Sequence, residues 1–245
     1  MTWSIVARDP ETGWLGVAVA SRFFAVGALV PHLRAEGAVA TQAFINPLWG
    51  VEGAARLADG EVPEAVMADF LARDRGSAHR QCHMIDRAGR VAAHTGASCI
   101  GWSGHRQAEG VSVAGNMLAG PDVVARTLTE WRESAHRPFP ERLLAAMRAG
   151  EEAGGDKRGR QSAALRVHRG QDYPWLDLRA DDHNDPLAEL ERLLAVSAER
   201  YRTFAETLGR REDFTGDPDR SRLETLLADL ERRRAGAPSL SRATD

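Results

Sequence analysis

Thr2 stands directly behind Met1. Methionine aminopeptidases of the cytosol remove an initiator methionine when the second residue is small, and threonine qualifies. Removal would leave a hydroxyl and a free α-amine on one residue. Such an amine titrates near about 7.7–8.0, so part of it is neutral at physiological pH and can take the proton from its own hydroxyl, directly or through one water. The chemistry this allows is nucleophilic attack on a carbonyl. It requires a terminus that is held still, because chain ends are otherwise loose. Here a strand-forming run begins at Trp3. Taken alone, a Met-Thr start reads mostly as a neutral translation start.

A second chemistry-bearing stretch is Gly154-Gly155-Asp156-Lys157-Arg158-Gly159-Arg160-Gln161-Ser162. Asp156, Arg158, Gln161 and Ser162 lie in a glycine-loosened loop that leads into a strand, a place where binding groups gather. It is not a phosphate loop, which needs Gly-Lys-Ser/Thr opening a helix. Lys157 is the single lysine of an arginine-rich chain, which either a GC-rich genome or a functional demand would explain. Arg22 could hold a substrate carboxylate through two parallel bonds, or serve a surface or interdomain salt bridge. Asp181-Asp182-His183-Asn184-Asp185 offers hard oxygens for a divalent cation. However, Asp185 already suits the N-cap of a following helix, and consecutive side chains of an extended run point to opposite faces. A structural network is the better reading, and no metal or other cofactor is expected. Gly101-Trp102-Ser103-Gly104-His105 is not a Gly-x-Ser-x-Gly elbow.

The elements that must position these groups follow from pattern. Trp3–Arg8 and Trp14–Ala20 read as a hairpin around Asp9-Pro10-Glu11-Thr12-Gly13, with the second strand apolar on both faces and therefore covered on both. Strands are expected again at Gly37–Ala43, Gln81–Asp86, Val91–His94, Gly110–Ala114, Ser162–His168 and Trp175–Arg179. Pro31 falls in a loop. Helix pairs are expected over Val51–Leu57 with a helix from Pro63, and over Pro121–Ser134 with Pro140–Arg148, the latter closed by Gly150 as its C′ residue. A last helix starts at Pro186 behind Asp185 and carries apolar residues from Leu187 to Leu208 in helical steps. Helices paired between β meanders predict an α+β protein of two stacked, mainly antiparallel sheets covered by helices. Residues 1–208 would form this domain. Residues 209–245 would form an extension with a short amphipathic helix over Leu223–Leu230 and a structureless tail from Ala235.

Composition narrows the partners. With 43% hydrophobic and 27% charged residues the chain is of the globular type, and its net charge of -3 gives no pull toward nucleic acid or an anionic membrane. No apolar run approaches a membrane span, the start lacks the features of a signal peptide, and Cys82 and Cys99 cannot build a disulfide framework. The expectation is a cytoplasmic protein with a small-molecule substrate, a homo-oligomer with a dimer favoured.

Several segments together resemble a known group. The opening Thr2–Asp9 with Gly16–Arg22 looks like the first hairpin of N-terminal-nucleophile hydrolases. Ala18–Arg22, Ala38–Gln42, Gly115–Gly120, Gly154–Leu165 and Asp177–Pro186 resemble, more specifically, a domain-of-unknown-function family of bacterial and archaeal proteins assigned to that superfamily. The resemblance covers about residues 2 to 195. It implies a four-layer αββα sandwich and, from the wider superfamily, amide hydrolysis through the terminal hydroxyl and an acyl-enzyme. It also implies an oxyanion hole after the third strand, where Gln42 and Asn46 stand, although for Asn46 before Pro47 turn capping is the better reading. Asn116 takes the place of a serine in a Gly-Ser-Gly turn. It would donate to the same oxyanion or simply adopt a left-handed turn. Asp156 and Ser162 are looser counterparts of an aspartate and a serine near the nucleophile.

The chain also departs from the proteasome-like branch, which carries an aspartate ending its second strand and a lysine on the third. Here those places read Ala20-Ser21-Arg22 and His32-Leu33-Arg34. The leading expectation is an amidohydrolase in which Thr2 attacks, its amine moves the proton, Asn116 and Asp156 assist, and Ser21, Arg22, Gln42, Asn46, Arg158, Gln161 and Ser162 bind substrate. The departures favour a second expectation, a non-catalytic descendant that binds a metabolite or a protein. A self-compartmentalised peptidase is a third.

Overall fold

The computed structural model describes residues 2–234 and 236–243. Met1 and part of the tail from Ala235 lie outside the described residues, and 236–243 carry neither helix nor strand. The opening hairpin is formed by β1 (Thr2–Arg8) and β2 (Leu15–Ser21), antiparallel, with Trp3 opposite Ala20 and Arg8 opposite Leu15. Gly13 in its turn has φ of 73°, a conformation a Cβ would oppose. Every residue of β2 is buried, as an apolar run with two covered faces requires.

The chain continues through β3 (Pro31–Arg34), β4 (Gly37–Ala43), α1 (Pro47–Ala58), α2 (Pro63–Arg73), β5 (Arg80–Asp86), β6 (Val91–Thr95), β7 (Trp102–Ala108) and β8 (Val111–Leu118). Then come α3 (Pro121–Glu133), α4 (Phe139–Glu152), β9 (Ser162–His168), β10 (Leu176–Ala180), α5 (Pro186–Ser197), α6 (Tyr201–Ala205) and α7 (Arg220–Arg234). One sheet has six strands in the order β10-β9-β2-β1-β8-β7, the other four in the order β3-β4-β5-β6. All pairings are antiparallel. The sheets face each other, α3 and α4 pack outside the six-stranded sheet, and α1 and α2 outside the four-stranded one. This is the expected α+β sandwich of four layers.

Val6, Val17, Val19, Ala38, Ala40 and Ile85 fill the space between the sheets at one end. Val39, Trp49, Leu57, Phe70 and Met84 fill the space under α1 and α2. Proline opens five of the helices at the first or second position, where its missing N–H costs nothing. Asp185 Oδ1 accepts from Ala188 N at 3.0 Å, the expected cap at the start of α5.

Four local expectations need correction. Residues 31–34 form a strand, not a loop, and β7 covers the stretch around Gly104. Both are edge strands; β3 is only four residues long, and β7 has no buried side chain, so neither writes a sustained β pattern. The helix from Pro186 ends at Ser197 and resumes only for α6, instead of running to Leu208. Gly150 does not close a helix; it lies inside α4, which runs on to Glu152.

Close approach explains that glycine. A Cβ on Gly150 would lie 2.3 Å from Thr127 Oγ1 and 2.9 Å from Trp3 Nε1. Helix propensity favours alanine over glycine by about 1 kcal/mol, whereas overpacking a tight contact costs about 1–3 kcal/mol. Gly150→Ala is therefore expected to destabilise the protein, by about 1 kcal/mol net, in urea unfolding. A gain in stability would mean α3 and α4 are not in such close contact.

The chain forms two compact units, residues 1–190 and 191–245. Within the second, Arg234 pairs with Glu199 at 3.1 Å, and Glu199 also accepts from Ser239 and Leu240. Among the described residues no helix is long and apolar enough to cross a membrane.

Candidate functional site

Thr2 opens β1, which lies between β2 and β8 in its sheet; its ladder partner is Asn116 near the end of β8, and Ser21 at the end of β2 meets it on the other side through its side chain. Its hydroxyl donates to Ser21 Oγ at 3.1 Å, and its carbonyl accepts from Asn116 Nδ2 at 3.4 Å. Thr2 is 6% exposed. Three of the residues read from the sequence as site residues are thus brought into direct contact. Thr2 is thereby anchored on both sides.

Beneath Asn116 a polar network runs between the two sheets. Gln81 Nε2 faces three acceptors, Gly115 O at 2.8 Å, Thr95 Oγ1 at 2.9 Å and Gly104 O at 3.1 Å. That fixes its oxygen on the other side, where it accepts from Gln42 Nε2 at 2.8 Å and Asn116 Nδ2 at 3.0 Å. Gln42 Nε2 also donates to Ala114 O at 3.2 Å, so Gln42 Oε1 must accept, and it does so from Ser4 Oγ at 2.8 Å. Ser4 has then spent its proton and accepts from His83 Nε2–H at 2.8 Å, which leaves His83 Nδ1 to accept from Ser112 Oγ at 3.0 Å. One orientation of the Gln81 amide therefore sets every donor along the chain. His83 is completely buried and neutral; burial first, then the neighbouring His105, lowers its pKa to about 3.

This network corrects the role expected of Gln42. Both ends of its amide are consumed inside the sandwich, so it supports Asn116 through Gln81 instead of facing a substrate. Asn46 caps α1 by accepting from Leu48 N at 3.1 Å and donates to Asp74 at 3.1 Å, so both ends of its amide are engaged at the start of that helix. Asn116 is a strand residue; the left-handed residue is its neighbour Met117, with φ of 53°. Ser4, Gln81, His83 and Ser112 were missed by sequence reading. Their one signal is the polar pair Gln81 and His83, two residues apart on a strand with every position from Gln81 to Asp86 buried.

Asp156 forms a separate cluster. Its carboxylate accepts from Arg22 N at 2.8 Å and Arg158 N at 2.9 Å, and pairs with the Arg158 guanidinium at 3.2 Å. It ties the end of β2 to the glycine-rich loop, which Leu118 also meets in an isolated bridge to Asp156. Arg22 is exposed and donates to Arg160 O at 3.5 Å. Ser162 is buried, donating to Phe23 O and accepting from Val26 N at 3.1 Å, and Gln161 donates to Asp182 at 3.1 Å. These contacts hold loops in place. In the acidic run, Asp181 pairs with Arg179 at 2.9 Å and Asp185 with Arg148 at 3.2 Å, the structural network expected there.

A cavity of about 410 Å³ opens beside Asn116. Ala43, Phe44, Cys99, Ile100, Asn116 and Met117 are among its walls, and His79 and Ser98 add the remaining polar groups. Ala43 has φ of 69°, so two of the three left-handed non-glycine residues among the described residues, Ala43 and Met117, border this cavity. Each costs about 1–2 kcal/mol, and such strain gathers at sites of function. Burial pushes the Cys99 thiol pKa up, and its sulfur donates to Arg80 O at 3.5 Å, so it is no thiolate nucleophile. Thr2 is not among the residues lining the cavity.

Fold and site together define an α+β sandwich protein in which buried amides anchor the start of a central strand beside an apolar cavity. The chain belongs to the family of unknown function DUF1028, which matches residues 2–190. It is similar to a DUF1028 protein of Silicibacter pomeroyi known from a crystal structure, with 32% identity and a TM-score of 0.82, covering 89% of this chain and 99% of that one. No curated protein matches the chain.

Proposed function

We propose that the protein is an amide hydrolase of the N-terminal-nucleophile type, acting on a small amide or acylated amino compound after Met1 is removed. The observation that carries this reading is the double anchoring of Thr2, through Ser21 on one side and Asn116 on the other. In this reading Thr2 Oγ attacks the carbonyl carbon and forms an ester as the C–N bond breaks. The freed α-amine takes the hydroxyl proton and passes it to the leaving amine; water then cleaves the ester and restores the hydroxyl. The Asn116 bond to Thr2 O, at 3.4 Å, is the longest that its amide makes. That N–H is the one free to turn toward a developing oxyanion while Gln81 holds the other. The reading includes a cytoplasmic homodimer, for which exposed Phe23, Phe24 and Leu29 supply an apolar face.

Mass spectrometry of protein purified from cells tests the proposal. Loss of Met1 is expected, with one covalent adduct at Thr2 after treatment with an electrophilic amide analogue and none in Thr2→Ala. Retained Met1, with turnover unchanged in Thr2→Ala, would overturn it. The low exposure of Thr2 and its absence from the cavity wall favour the second reading, a binding protein without catalysis.

A further inference from the structure

The cavity beside Asn116 is walled by apolar side chains that a soluble surface would not leave uncovered. Phe44 is 75% exposed and Ile100 68% exposed, and Met117, next to Asn116 in the wall, has a left-handed backbone conformation. None of the residues lining it is aspartate, glutamate, lysine or arginine, and its ionisable groups are those of His79 and Cys99. A charged group seated deep in it would find no opposite charge. What fills it must therefore be apolar, and covering such surface returns about 25 cal/mol for each Å².

The rim differs. Gly101 follows Ile100, and a Cβ on it would lie 3.2 Å from Met117 Cα and 3.7 Å from Lys157 Nζ. The chain's single lysine thus brings its ammonium to the edge of the cavity, across a glycine. The neighbouring cations of that loop are taken: Arg158 by Asp156, and Arg160 by Glu151 and Asp185. Lys157 has no hydrogen bond or ion pair among the described residues. An apolar cavity with an available ammonium at its mouth is complementary to a molecule with an apolar body and an anionic end. Asn116 is the wall shared with Thr2.

We propose that this cavity binds N-acyl amino acids, with the acyl chain against Phe44, Ile100 and Met117 and the free carboxylate paired with Lys157. The assignment rests on the amide-hydrolase reading above and names its substrate class. It moves the carboxylate partner from Arg22, the residue expected from sequence, to Lys157. Arg22 is held by its backbone to Asp156 and by its guanidinium to Arg160 O.

Isothermal titration calorimetry on the full chain tests this, in the Thr2→Ala form so that binding is read without turnover, and in parallel on the unsubstituted chain. The probes are N-acetylglycine, N-hexanoylglycine, N-benzoylglycine and the neutral N-benzoylglycinamide. The hexanoyl and benzoyl acids are expected to bind at least about tenfold more tightly than the acetyl one. Lys157→Gln should weaken N-benzoylglycine by on the order of tenfold and leave N-benzoylglycinamide unchanged, whereas Arg22→Gln should alter neither. Equal binding of acetyl and hexanoyl acids, an unaltered Lys157→Gln, or no binding of any acid up to millimolar concentration would overturn the proposal. A carboxylate-specific loss in Arg22→Gln alone would overturn the Lys157 assignment. The expected binding pattern without hydrolysis of N-benzoylglycine by the unsubstituted chain would remove the hydrolase reading and leave the ligand class standing.

Discussion

Gln81→Leu is expected to lower stability by roughly 4 kcal/mol, because it removes a partner from two donors and three acceptors in a buried layer. Gln42 Nε2 and Asn116 Nδ2 each lose an acceptor, while Gly104 O, Gly115 O and Thr95 Oγ1 lose a donor. Each unsatisfied group costs about 1–3 kcal/mol, and those with a second partner fall at the low end. Set against a typical domain stability of about 5–15 kcal/mol, the loss is large. Gln81→Glu should also destabilise despite its matching shape, since one carboxylate oxygen would face the carbonyls of Gly104 and Gly115. Urea unfolding followed by tryptophan fluorescence measures both. A loss below about 1 kcal/mol in Gln81→Leu would show that water reaches this layer.

The second large effect is with acid. His83 is held near a pKa of about 3 by burial and His105, and His168 near about 4, chiefly by burial, against 6.5 in an exposed setting. His32 and His105 are lowered too, with burial the first cause. Between pH 6.5 and about 4 the unfolded chain binds protons that the folded chain refuses. Stability is complete above that window and falls as pH drops through it. Each such histidine removes up to about 1.4 kcal/mol per pH unit, so the summed loss reaches several kcal/mol. The urea midpoint should be level above pH 7 and drop steeply toward pH 5. His83→Asn should be less stable at pH 7 but show a shallower slope. A midpoint unchanged from pH 7 to 5 would mean that His83 is not kept neutral in a closed interior.

The sequence made the fold legible where burial dictates residue type. Leu15–Ala20 had to be covered on both faces, and it is. Pro63, Pro121 and Pro186 opened helices because proline there removes an N–H that has no partner anyway. β3 and β7 were not legible, since each sits at a sheet edge, where one side is free and side chains such as Arg106 and Gln107 carry no periodic constraint. At the site, Thr2, Ser21 and Asn116 were legible as a group. Gln42 is legible as a polar residue of the site, but the use of its amide is not, because its partners Ser4 and Gln81 lie on strands distant in sequence and nothing local marks them. The cavity drew on the end of β4, the approach to β5, the segment before β7 and the end of β8, and no single stretch announces such a convergence.

The place of β1 in its sheet also bears on how the protein is made. Strand β1 pairs with β2 across a short turn, yet its other edge waits for β8, which begins at Val111, and β2 waits for β9 at Ser162. Until then the nascent hairpin presents two open edges and two apolar faces. Closing loops of that span delays assembly, since distant pairings must be found before they repay the order they impose. Asn116, one of the two anchors of Thr2, therefore arrives 114 positions after it.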